Sequence, residues 1–232
     1  MKPYRILHSG HVLATGLLAS LLSSGLAGAA TTLIDADTNN GSFEYVNGVN
    51  NPSYTTKVDQ WDGDSAGEID DWTWWSGNSN DSGSQVWTPA PAPPAGPTGV
   101  RFGFIQPGSG VYNLTTYTAQ VGDTFTLSWD HVGTRNVPHT VSLVYFDGTN
   151  VLAIPGTDIA ATASQLAYGG TFTLAADSPA ISYPIGIGVT NSTINQWGEI
   201  DNFVLSVESV PEPSAALLGG LGLLALFRRR KA

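Results

Sequence analysis

The sequence predicts an all-β protein built as an antiparallel β-sandwich, and three observations predict it. From Val100 onward, apolar residues recur with period two, the spacing of strands that bury one face. Turn-forming pairs punctuate these runs: Pro107-Gly108, Gly122-Asp123, Asp147-Gly148, Gly169-Gly170 and Asp177-Ser178-Pro179. Apart from the two chain ends, no window of a dozen residues keeps the i, i+3, i+4 apolar pattern of a helix. Composition agrees, with only 12% charged residues among many glycines, threonines and aromatics.

The first element is not part of the sandwich. Lys2 and Arg5 precede an apolar stretch from Val12 to Leu22, and small residues follow, ending Ala27-Gly28-Ala29. A basic start, a short apolar core and an Ala-x-Ala-like exit read as a secretory signal peptide over residues 1–29. The mature chain then begins near Thr31. The alternative is a buried N-terminal helix.

Between Asn39 and Gly99 the pattern changes. This stretch holds five of the seven tryptophans, Trp61, Trp72, Trp74, Trp75 and Trp87, and ends in a proline-rich run from Pro89 to Pro97. Proline supplies no ladder donor, so the run reads as a polyproline-like crossing. The segment looks too poor in strands to fold alone, so residues 30–209 read as one β-sandwich domain containing a long connection; the alternative is a split into two domains.

The strands follow in order. Val100–Gln106, Val111–Thr118 and Asn150–Ile154 form three of them. Phe125, Leu127 and Trp129 form one inward face, and Val141, Leu143 and Tyr145 a second. Phe172 and Leu174 form a shorter one. Ile185, Ile187 and Val189 alternate with Gly186 and Gly188, and Phe203, Leu205 and Val207 close the series.

The C-terminus, residues 210–232, has its own grammar. Val210-Pro211-Glu212-Pro213 precedes the uncharged span Ser214 to Phe227, and Arg228, Arg229, Arg230 and Lys231 follow. As a helix this span is about 21 Å long, short of the roughly 30 Å hydrocarbon core, so it suits a processing signal better than a permanent anchor. These three ordered features resemble the PEP-CTERM sorting tail of Gram-negative bacteria. The resemblance implies recognition by a membrane-embedded exosortase, removal of the tail, and release to the cell surface or an exopolysaccharide matrix. Such tails also carry the label of an ice-binding-protein C-terminal domain, yet the repeated Thr-x-Thr faces of ice binders are absent.

Charge and cysteine content exclude several functions. Between the two ends, three bases (Lys57, Arg101 and Arg135) face eighteen acids, a body charge of −15. Such a surface repels phosphate backbones, which excludes nucleic acid as a partner. With no cysteine there are no disulfides, thiolate metal sites or thiol nucleophiles.

A second resemblance lies at the edges of the body. Asn40-Gly41-Ser42-Phe43-Glu44 is similar to the opening of jelly-roll carbohydrate-binding modules with a galactose-binding-like fold. The run from Gly198 to Leu205, containing Ile200-Asp201-Asn202, resembles their last strand. The resemblance implies a jelly roll and a structural Ca²⁺ held by Glu44 and Asp201 with main-chain carbonyls. Asp201 shares strand parity with Phe203, Leu205 and Val207, so it is expected to face inward. A buried carboxylate needs a partner. Either a metal supplies it, or Arg101, Arg135 or backbone amides do.

Two further constellations bear on function. Asp59, Asp62, Asp64, Glu68, Asp70 and Asp71 form an acidic run without the twelve-residue frame of an EF-hand, and read as a solvated loop. Trp72, Trp74 and Trp75 lie beside carboxylates and amides, the residue mix that stacks on and hydrogen-bonds to sugar rings. In an extended strand Trp72 and Trp74 point one way and Trp75 the other. Either one face is exposed for sugar, or all three pack in the core, where Trp129 belongs.

Catalytic signatures are missing. Of the four histidines, His131 and His139 remain in the mature body, and no Gly-x-Ser-x-Gly, His-Glu-x-x-His or phosphate loop is present. Asp130 and His131 are strand neighbours and face opposite sides. The sequence therefore reads as a non-catalytic, exported carbohydrate-binding module. The alternatives are a purely structural matrix protein and, behind both, a sandwich-fold glycoside hydrolase or lyase that needs only two carboxylates.

Overall fold

The computed structural model describes residues 28–46, 49–50, 61–62, 69–76, 83–86, 101–132, 137–163 and 166–210. The helices expected at the two chain ends and the run Pro89–Pro97 lie outside the described residues, as do Trp87 and Arg135.

The first strands are short: β1 (Thr31–Ile34), β2 (Tyr45–Val46), β3 (Val49–Asn50) and β4 (Trp61–Asp62). Then come β5 (Ile69–Ser76), β6 (Gly83–Val86), β7 (Arg101–Ile105), β8 (Gly110–Thr118), β9 (Thr124–His131) and β10 (His139–Phe146). The last five are β11 (Val151–Ala153), β12 (Ile159–Ala161), β13 (Leu166–Thr173), β14 (Pro184–Thr190) and β15 (Gly198–Glu208).

They form two sheets. The smaller runs β13-β9-β15-β7-β6, with β1 also paired to β15. The larger runs β11-β10-β14-β8-β5-β2-β3, with β12 on β10 and β4 on β5. All pairs except β4 with β5 are antiparallel. This is the jelly-roll sandwich the alternation predicts. Phe125, Leu127 and Trp129 meet Val141, Leu143, Ile185, Ile187 and Val189 across the sandwich, all buried. Trp129 stacks between Tyr168 and Phe203, with centroids 5.5 and 6.1 Å away.

Three expectations need correction. The tryptophan-rich segment is no mere connection, because β5 lies inside the larger sheet and β6 ends the smaller one. Its alternation is hidden because Asp71 takes a left-handed φ of 68° and the ladder with β8 shifts between Trp74 and Ser76. Gly169-Gly170 is not a turn but the middle of β13. A Cβ at Gly169 would stand 2.7 Å from the Leu127 carbonyl oxygen, so glycine serves close backbone approach there. Asp201 does not share the inward face of Phe203. Asn202 adopts φ 56° in a bulge between Asp201 and Val204, which turns Asp201 onto the outer row beside Asp130.

Candidate functional site

The opening motif is a structural knot, and each residue has a reason to be there. Gly41 admits no side chain: a Cβ would lie within 2.7 Å of the Asp35 carbonyl oxygen and closer still to that of Phe203. The Phe203 amide donates to the Gly41 carbonyl at 2.9 Å, fastening the opening segment to β15. The Asn40 side chain accepts the Tyr45 amide and donates to the carbonyls of Tyr45 and Asp70, each at 2.9 Å. Phe43 packs on Trp72 and Phe203, with centroids 4.8 and 6.1 Å away.

Glu44 sits where the smaller sheet splits. β15 pairs with β7 only from Gly198 to Ile200 and with β1 from Leu205 to Val207. In the gap the Arg101 amide donates to Glu44 Oε1 at 2.6 Å, and the Asn202 amide donates to Asp201 Oδ1 at 2.7 Å. Glu44 and Asp201 are both buried. Glu44 is thus bonded to the first residue of β7, and Asp201 follows directly on the stretch of β15 that pairs with β7. Arg101 is buried, with its guanidinium donating to the hydroxyl and carbonyl of Ser84. Two carboxylates are donors that suit a hard cation, though among the described residues no three His, Cys, Asp or Glu side chains group as a metal site.

The three candidate sugar-binding tryptophans separate. Trp72 is fully buried and its indole N–H donates to the Asn40 carbonyl at 2.9 Å, so it belongs to the core. Trp74 keeps the same parity, opposite Val111 in the ladder, but near the strand's end it is 40% exposed. Trp75 points the other way, onto the outer face of the larger sheet. Its ring lies over Gly188, where a Cβ would come within 2.6 Å of both the indole and Val144. Its N–H donates to the Val151 carbonyl at 3.0 Å, so the indole spans from β5 to β11 and is held flat.

Sequence reasoning missed Tyr112, which stands on the same outer face. Thr73, Tyr112, Gly188 and Ser142 are successive cross-strand partners, a row running beside Trp75. Ser142 donates to Asp158 at 2.7 Å, adding a carboxylate near the row. The signal for Tyr112 was present: Val111, Asn113 and Thr115 are buried on the inner face of β8, leaving Tyr112 and Leu114 on the other.

The histidines do not reach solvent. His131 and His139 are buried with ring centroids 4.5 Å apart, and His139 Nε2 accepts the Trp129 indole N–H at 3.0 Å. Burial holds the His131 imidazole down to about 4 and that of His139 to about 3, the latter also through the neighbouring His131. Both are therefore neutral at pH 7. Asp130, on the opposite face of β9, is raised by burial and partly relieved by the Asn202 side-chain Nδ2, which donates to its Oδ2 at 3.2 Å.

Comparison with known proteins bears on the chain's end and on its fold. Residues 209–231 match the PEP-CTERM protein-sorting motif, covering Val210 to Pro213 and Arg228 to Arg230. The chain carries a PEP-CTERM sorting motif. The motif indicates an exported protein processed at the membrane. Among solved structures, a cyclase from Fischerella sp. TAU is similar at 15% identity and TM-score 0.54, covering 79% of this chain and 100% of that one. The CBM22-1 xylan-binding domain of Paenibacillus barcinonensis Xyn10C is similar at 10% identity and TM-score 0.44, covering 80% and 99%. A CBM61 module solved with β-1,4-galactotriose is similar at 13% identity and TM-score 0.40, covering 68% and 95%. Curated proteins give no match to the sequence. At such identities the likeness speaks for the sandwich ahead of the PEP-CTERM motif, and for that alone.

Proposed function

We propose that the PEP-CTERM motif delivers a non-catalytic carbohydrate-binding module to the cell surface or exopolysaccharide matrix of a Gram-negative bacterium. Exosortase recognises and removes the tail at the inner membrane. The observation that carries the binding reading is the pinned, half-buried indole of Trp75 on the outer face of the larger sheet, with exposed Trp74 on the same strand. A flat aromatic plate beside Tyr112, Thr73 and the Ser142–Asp158 pair offers stacking to the apolar side of a sugar ring and hydrogen bonds to its hydroxyls. The resemblance of Asn40–Glu44 and Gly198–Leu205 to carbohydrate-binding jelly rolls supports the same reading. Burial of both histidines supports a non-catalytic role, because neither is placed to exchange protons with a ligand.

With it we propose that Glu44 and Asp201 hold a structural Ca²⁺ at the sheet junction, main-chain carbonyls completing its oxygen shell. The ion ties the opening segment to the last strand and takes no part in ligand chemistry.

Glycan-array binding by the purified protein tests the reading, with Trp74→Ala and Trp75→Ala as the variants. Loss of binding by folded variants supports it. A folded protein that binds no glycan would favour a structural spacer, and release of reducing ends from a polysaccharide would favour a hydrolase or lyase.

A further inference from the structure

The edges of the two sheets are not alike. Among the described residues the larger sheet ends in short strands, β3 with two residues and β11 and β12 with three each, and the smaller sheet ends on one side in the four residues of β6. Its other end, β13, is eight residues long and pairs with β9 alone, through eight consecutive positions without a bulge. A long, regular edge is a template for another strand unless proline, charge, a bulge or a covering segment blocks it. None of these protects β13. It contains no proline, its residues are exposed or half-buried, and no charged side chain occurs from Ile159 to Ala176, although the body carries a charge of −15.

The parity of this edge follows from one hydrogen-bond pair. The Leu174 amide donates to the Asp123 carbonyl and the Leu174 carbonyl accepts the Gly122 amide, both at 2.9 Å, so Leu174 is bonded toward β9. Backbone groups alternate sides along a strand. Phe172, Gly170 and Tyr168 therefore also bond to β9, and the N–H and C=O groups of Thr173, Thr171, Gly169 and Ala167 turn to the open side. The Thr124–Thr173 and Thr126–Thr171 hydroxyl contacts, at 3.0 and 3.4 Å, fit the close side-chain spacing of pairs that share no ladder bonds. All four outward residues are exposed. On the inner face Tyr168 and Phe172 are half-buried and Leu166 is 51% exposed. At the Leu174 end the two sheets part around a cleft of about 530 Å³ whose apolar lining includes Ile154, Phe172 and Leu174.

We infer that β13 is the docking edge for a second copy of this chain, the two strands pairing antiparallel about a two-fold axis at Gly170. In that register the strand is complementary to itself. Ala167 lies opposite the partner's Thr173 and Gly169 opposite the partner's Thr171, so every outward N–H and C=O is bonded; a shift either way strands one outward residue of each copy beyond the end of the other strand. Gly170 meets its own copy on the axis, with no side chain to clash. On the inner face Tyr168 lies beside the partner's Phe172, and Leu166 beside the partner's Leu174, where the apolar cleft opens. The uncharged stretch is what lets two bodies of like charge approach. Both free edges are consumed, so the assembly closes as a dimer and does not extend into a fibre. The inference does not rest on the glycan-binding reading.

Analytical ultracentrifugation of the purified protein, over a concentration series reaching about 1 mM, tests the assignment. Thr171→Pro removes an N–H that the β9 ladder does not use, and Leu166→Asp puts a charge where the partner's cleft is apolar. Each is expected to weaken the dimer about tenfold or more, because each occurs twice in it, while melting at a monomeric dilution stays close to that of the wild type. Ala167→Cys with Thr173→Cys, in a chain with no other cysteine, is expected to oxidise to a covalent dimer. Directly opposed residues lie about 5.5 Å apart, whereas the two positions in one copy are about 20 Å apart. A protein monomeric throughout the series, or a dimer that both single substitutions leave unchanged, overturns the proposal. Slow hydrogen exchange at Gly169 and Thr171 in a monomer also overturns it, by showing a different segment on this edge. A dimer whose paired cysteines stay reduced overturns the register.

Discussion

Trp72 and Trp75 are the same residue type on the same strand, three positions apart, yet they do opposite things. Trp72 is enclosed by Phe43 and Phe203 and donates to the Asn40 carbonyl. Trp75 lies on the far side of the sheet over a glycine and donates to the Val151 carbonyl. Hydrophobicity does not distinguish them. Each finds one acceptor for its N–H and one surface for its ring, and strand parity assigns one to the core and the other to the outside. An aromatic cluster in sequence is thus a fold element and a surface element at once.

The sharpest test of this division is Trp72→Ala. Removing a fully buried indole is expected to cost about 3–5 kcal/mol, seen as a large drop in melting temperature. If the variant melts like the wild type, the inner assignment fails. Acidification acts on the same interior. The His131 and His139 values are lowered on folding, so their stabilising contribution is complete above the unfolded value near 6.5. It is lost as pH falls below 6.5 toward about 4 and about 3, by up to several kcal/mol. Denaturant melts at pH 7, 5 and 4 read this directly, and a flat profile would contradict the buried neutral pair.

Calcium removal probes the junction next to the inner tryptophan. With the ion at about a hundred times its dissociation constant, excess chelator is expected to remove about 2.7 kcal/mol of stability. Unchanged melting, with no metal in the purified protein, would leave the countercharge at Glu44 and Asp201 to Arg101 and the amides. On the outer side, Trp75→Ala is expected to weaken polysaccharide binding by about 2 kcal/mol, the worth of an aromatic anchor, with a smaller change in melting. Gly188→Ala is the mildest. It pushes the indole off its seat, and a loss of about tenfold in binding with near-native melting would show that position, not mere presence, of the ring matters.

Much of the fold was legible because period-two alternation is strict in β9, β14 and the end of β15; in β9 and the end of β15 one face is buried and one is not, and in β14 glycines take the alternate positions. It was illegible where the backbone departs from that period. The bulge at Asn202 inverted the expected orientation of Asp201, and the left-handed Asp71 disguised β5. The opening motif was readable as a resemblance, but its physics needs contacts from residues far along the chain, Phe203, Asp70 and Arg101. For the candidate site, the sequence named three tryptophans of which one is core. It did not name Tyr112 or Gly188, whose roles come from cross-strand neighbours that spacing alone does not reveal.

The position of β15 has a consequence for how the protein matures. This strand, the last to be synthesised, is flanked by β9 on one side and by β7 and β1 on the other, so the smaller sheet has no continuous centre until it arrives. Closure of β1 against β15 joins the first and last strands of the sandwich, a slow, long-range step. A chain that lacks this final segment therefore leaves β9, β7 and β1 without the partner they share, and the smaller sheet does not close.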